Sequence, residues 1–121
     1  MKIAHIYDDK DQSRFTDIDI SLKPMEPDGG VYGFLASAPF SAEQCIFFCS
    51  PQCVQELHVA PQRQLGIILS GEMEIEASGG DARRFRPGDI FLADDTTGSG
   101  HITRVLTYLT VLYMPVASIP A

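Results

Sequence analysis

Apolar and polar residues alternate along this chain in short runs separated by turn residues, and no apolar repeat at helical period persists for ten residues. The pattern predicts strands at Arg14–Leu22, Val31–Ser37, Ala42–Cys49, Val54–Val59, Leu65–Ser70, Glu72–Ala77, Ala82–Phe85 and Asp89–Ala93, with a last long run from His101 to Met114. The breaks carry turn chemistry: Glu26-Pro27-Asp28-Gly29-Gly30, Ala38-Pro39, Ser50-Pro51, Ala60-Pro61, Ser70-Gly71, Ser78-Gly79-Gly80-Asp81, Arg86-Pro87-Gly88-Asp89 and Gly98-Ser99-Gly100. Many short strands with no linker or repeat between them must close on one another to protect their edges, which predicts an all-β jelly roll or barrel. Leu65-Gly66-Ile67-Ile68-Leu69 is apolar on both faces, so both sides of that strand are expected to be covered, the outer one by another strand or by a second copy in a homodimer.

Length and charge narrow the function. A chain of 121 residues supports one domain, and a 45% hydrophobic, 21% charged composition is that of a globular protein rather than a disordered one. The formal net charge of -7, with no basic stripe, argues against nucleic acid as a partner. No segment approaches the run of about 18 apolar residues that a membrane helix needs, and the N-terminal residues lack a signal-peptide core, so the expected location is the cytoplasm, with no membrane partner. Cys45, Cys49 and Cys53 are spaced for neither a disulfide framework nor a strand-borne bridge, since residues four apart on a strand are roughly 13 Å apart. They read as small apolar residues.

Chemistry-bearing residues gather in two segments. The first is His58-Val-Ala60-Pro-Gln-Arg63-Gln64, followed by Gly71; the second is Phe85-Arg-Pro-Gly88-Asp89, followed by Asp94-Asp-Thr-Thr-Gly-Ser-Gly-His101. His58 and Ala60 share a strand face, as do Gln64, Gly66, Ile68 and Ser70. Arg63 falls on the face opposite Gln64. The Asp94–Gly100 stretch is dense in side chains that cap turns, and it lacks the Lys and following helix of a phosphate-binding loop.

From Glu56 to about Val105, two fifths of the chain, these residues resemble the cupin superfamily, and especially a group of small bacterial cupins with His-x-Ala-Pro-x-Arg-Gln and Asp-Thr-Thr-Gly-x-Gly-His segments. The resemblance implies a double-stranded β-helix in a single domain spanning 1–121, with N-terminal strands in 1–50 extending a sheet and the barrel core in 54–114. It also implies that His58, Gln64 and His101 converge. The chain departs from the family's metal motif: Ala60 stands where a second His belongs, Gln64 stands where Glu belongs, and His101 arrives about two residues late. Two imidazoles and a neutral amide fall short of the three N, S or O ligands of a protein zinc site and lack the carboxylate of a non-haem iron site.

The function expected first is therefore binding of a small polar metabolite in a pocket of His58, Gln64, His101, Gly66, Ile68 and Ser70, with no tightly bound metal or other cofactor and no assigned catalytic residue. The alternative is a metal-dependent enzyme of dioxygenase or isomerase type, with His58, Gln64 and His101 as an incomplete shell for a divalent transition metal that Asp94 or water completes. A third reading is a packed scaffold with Phe47, Phe91 and Tyr108 meeting in the barrel centre. If the two histidines are site residues, replacing either by Ala is expected to leave thermal stability nearly unchanged.

Overall fold

The computed structural model describes residues 1–25 and 32–121, so the expected turn at 26–30 and the start of the expected strand at Val31 lie outside the described residues. The strands are β1 Lys2–Asp9, β2 Gln12–Asp19, β3 Lys23–Pro24, β4 Leu35–Ala36, β5 Ile46–Ser50, β6 Cys53–His58, β7 Gln64–Ser70, β8 Met73–Ala77, β9 Ala82–Phe85, β10 Ile90–Asp94, β11 His101–Val105 and β12 Leu109–Pro115. A six-stranded sheet in the order β2-β1-β10-β7-β12-β5 faces a four-stranded sheet in the order β6-β11-β8-β9, and β3 pairs with β4 alone. The protein is a single-domain jelly-roll barrel of the cupin-like kind. No helix among the described residues is long and apolar enough to cross a membrane.

Side-chain alternation builds two cores, one on each face of the larger sheet. Met73, Ile75 and Ala77 of β8 point inward between outward Glu74 and Glu76, and Val105 of β11 points inward next to outward Arg104, which bonds to both glutamates at 3.0 and 3.2 Å. These residues meet Ile68, Phe91, Leu109 and Val111 inside the barrel. On the outer face, Leu65 and Leu92 bury against Ile3, Ile20 and Val116, with Met114 and Ile119 packed alongside. The outer side of β7 at Leu65 is therefore covered by the chain's own ends.

The strands differ from expectation in several places, and the expected strand at Val31–Ser37 is a strand only at Leu35–Ala36 among the described residues. Lys2–Asp9 forms a strand that the alternation reading passed over; Ile3 packs outward and Ala4 and Ile6 inward, so β1 carries apolar groups on both faces as it pairs in parallel with β10. The run from His101 to Met114 breaks at 106–108 into β11 and β12, which belong to different sheets. There the main-chain nitrogens of Leu106 and Thr107 both bond to the Glu72 carbonyl. Of Phe47, Phe91 and Tyr108, only Phe91 reaches the barrel interior; Phe47 and Tyr108 are 75% and 63% exposed.

Candidate functional site at the barrel mouth

Alternation and one irregularity in β6 bring the site together. His58 pairs with His101 and Gln55 with Thr103, which leaves one extra residue on β6 between the two pairs. Such a bulge re-aims side chains, and Gln55 and His58, of opposite parity, both line the same cavity. The ring of His58 folds back so that Nδ1 donates to the Glu56 carbonyl at 2.7 Å. Two residues after His58, Ala60 reaches the same cavity, its backbone nitrogen bonded to the Asp95 carbonyl at 3.0 Å.

The cavity has a volume of about 60 Å³ and includes His58, Ala60, Gln64, Thr103, His101 and Tyr113 in its wall. His58 and His101 face one another with ring centroids 4.6 Å apart. His101 Nδ1 donates to Asp95 Oδ2 at 2.5 Å, in a pair whose side chains are 8% and 0% exposed. The other carboxylate oxygen, Oδ1, is buried and meets no partner among the described residues. Tyr113 lies edge-on to Phe91 and Phe48 at centroid distances of 6.1 and 5.8 Å, and burial pushes its phenol up to about 12. It therefore stays a neutral hydroxyl well past neutral pH.

The remaining expected residues lie elsewhere. Gly66 faces inward, but a Cβ there would meet the Phe91 ring at 2.3 Å, so its missing side chain makes room for packing. Ile68 is buried in the barrel core, and Ser70 is exposed at the end of β7. Neither of these two, nor Gly66, contributes to the wall of the cavity. Asp94 points to the outer face, where it holds His5 at 3.0 Å and Arg63 at 3.6 Å, and so it cannot complete a set with His58 and His101.

Sequence reasoning missed Asp95 and Tyr113. The signal for both was the same alternation: with Phe91 and Ala93 inward, Asp95 continues their parity, and Tyr113 follows Leu109 and Val111. Gly100 is a turn residue with a second role. Its φ of +73° and the 2.0 Å gap between an added Cβ and the His58 carbonyl oxygen allow the loop before β11 to press against β6.

The cupin resemblance implies a metal, which needs at least three donors converging on one point. Each histidine engages Nδ1 with an acceptor, as metal-bound histidines do, but the second imidazole and the carboxylate are replaced by the Ala60 methyl and the Gln64 amide. Among the described residues no three His, Cys, Asp or Glu side chains converge as a metal-holding group. The residues present do not fit a resident metal centre.

No protein-family model matches the chain, and no curated protein does. Among solved structures, a DUF861 family protein from Thermotoga maritima is similar over 78% of this chain and 97% of its own, with a TM-score of 0.51 and 15% identity. DUF861 is a cupin-like family, and a likeness at that identity establishes the fold alone.

Proposed function

We propose that this protein binds a small polar molecule at the barrel mouth, held by His58, His101 and Gln64 without a resident metal. The observation that supports this most is the convergence of two imidazoles, 4.6 Å apart between centroids, on a cavity whose other polar side chains are two amides and two hydroxyls. Gln64 and Thr103 are buried polar residues facing that cavity, and buried polar groups call for hydrogen-bond partners. A volume of about 60 Å³ admits only the head of a metabolite, far below the roughly 300–1,000 Å³ that encloses a drug-sized ligand. The body of the ligand then lies outside, beside exposed Gln55 and Pro61.

Elemental analysis of protein purified without a polyhistidine tag tests the metal-free part. Fe, Mn, Ni and Zn are expected well below one equivalent; a stoichiometric amount would favour the metal-dependent enzyme instead. Native mass spectrometry against a small-metabolite library tests the binding part: adducts are expected with the native chain and not with His58→Ala, and adducts that survive this substitution would place binding elsewhere.

A homodimer belongs to the same proposal, on a changed basis. The outer side of β7 is covered internally at Leu65, whereas Ile46, Phe47 and Phe48 of the edge strand β5 are exposed. An uncharged apolar edge favours pairing with its own copy. Light scattering is expected to give twice the 13.3 kDa chain mass, and a monomer across micromolar concentrations would count against it.

A further inference from the structure

We infer that the barrel mouth selects a head group carrying two or more N–H donors and no negative charge, of the amide, urea or amidinium class, over a carboxylate or phosphate. This rests on the pocket being a ligand site. The Glu56 carbonyl and the Asp95 carboxylate can only accept hydrogen bonds, so each ring places a proton on Nδ1. In its neutral form an imidazole has one N–H, so in that form each ring offers Nε2 as an acceptor. Two acceptors on rings 4.6 Å apart match a group with two divergent donors. The Gln64 carboxamide can turn either end toward such a group, and the Thr103 and Tyr113 hydroxyls can accept as well as donate.

Charge points the same way. The cavity wall contains no Lys or Arg. Arg63, the nearest arginine along the chain, is on the outer face with Asp94. Directly behind His101 is the fully buried Asp95, with one oxygen unmatched. A second anion beside that carboxylate is repelled in a medium where charges are poorly screened, whereas a polarised N–H or a cation is attracted.

Acetate, acetamide and acetamidinium share one shape and differ in donors and charge, which makes them the probes. Imidazole nitrogen spectra of the full chain, which report the protonation of each ring nitrogen directly, are recorded during titration with each probe. Acetamide and acetamidinium are expected to shift the His58 and His101 signals saturably, at least tenfold more tightly than acetate, and to lose at least tenfold in affinity in His58→Ala. A His58-dependent preference for acetate overturns the donor selection and leaves the pocket reading standing. Binding of the amides that is indifferent to His58, or a His101 ring protonated on Nε2 rather than Nδ1, also overturns the selection. Saturation by none of the three overturns both.

Discussion

Asp94 and Asp95 are chain neighbours that hold one histidine each, on opposite faces of the larger sheet. Outside, Asp94 meets His5 at 3.0 Å with the Arg63 guanidinium at 3.6 Å, and the two paired side chains are 18% and 25% exposed. Inside, Asp95 meets His101 with 0% and 8% exposure, and its second oxygen has no partner. The outer carboxylate is offset by a cation and by water, so its pair is worth little. The inner carboxylate has His101 as its one side-chain partner, so the same chemistry there leaves a polarised imidazole aimed at a cavity. Equal residue types, one position apart, thus become a surface ion pair and a candidate site because the strand alternates.

The largest expected effect is on stability and comes from breaking the inner pair. His101→Ala strands a carboxylate with no exposure and no partner, which costs about 3–5 kcal/mol for a buried pair that loses one member. The buried Asp95 carboxylate is the reason this differs from the sequence-based expectation of unchanged stability. His5→Ala on the outside is expected to cost under about 1 kcal/mol. Urea unfolding of both variants checks the contrast. The double variant His101→Ala/Asp95→Ala is expected to recover much of the loss, because the stranded charge is then gone. If His101→Ala and His5→Ala cost the same, the two environments are equivalent and the comparison fails.

The backbone that brings His101 against His58 comes next. Gly100→Ala forces a side chain onto a φ of +73° and drives Cβ to 2.0 Å from the His58 carbonyl oxygen. Backbone overlap has no rotamer to relieve it, so a loss of about 3 kcal/mol or more is expected. Gly88→Ala has a comparable φ of +91° but open space around it, and isolates the conformational part, about 1–2 kcal/mol. Thermal melts of the two variants should differ clearly; coincident melts would show that the close approach of loop and strand is not under constraint.

These two sets of residues also show what the sequence makes legible. The barrel could be read because turn chemistry at Arg86-Pro87-Gly88-Asp89 and alternation in Met73-Glu74-Ile75-Glu76-Ala77 are local signals. His58, Gln64 and His101 could be placed together through the cupin resemblance. Asp95 could not be separated from Asp94 by residue type, because both are acids in a loop-like run, and only the parity set by Phe91 distinguishes them. The bulge that turns His58 inward depends on pairing with β11, forty-three residues later in the chain by the difference between 58 and 101, and leaves no local mark. The small size of the cavity follows from the Phe91 ring filling the space above Gly66, a three-dimensional outcome that period-two reading does not contain.

Two tyrosines extend the contrast between inside and outside to high pH. Burial pushes Tyr113 up to about 12 from an ordinary value of 10.0. The folded state therefore holds its proton after the unfolded chain has lost it, so stability is intact below pH about 10 and falls between about 10 and 12, by about 2–3 kcal/mol in full. Tyr113→Phe is expected to flatten that part of the alkaline decline. The Tyr108 phenol is raised by the neighbouring Cys49 thiol and is exposed, so Tyr108→Phe is expected to leave the decline in place. Unfolding midpoints measured from pH 9 upward decide between them; an unchanged slope in Tyr113→Phe would mean that the phenol is solvated.

The smallest expected effect is the control for the rest. Asp94→Asn removes the outer charge while keeping its shape, and leaves His5 and Arg63 able to turn toward water, since their side chains are 18% and 38% exposed. A stability change within about 1 kcal/mol is expected, with no change in ligand affinity, because Asp94 and the His58–His101 cavity lie on opposite sides of β10. A loss of affinity in Asp94→Asn would mean that the outer pair holds β10, and through it Asp95, in position. The two aspartates would then act as one device rather than as independent pairs, and the division between surface ion pair and candidate site would have to be redrawn around the strand that carries them both.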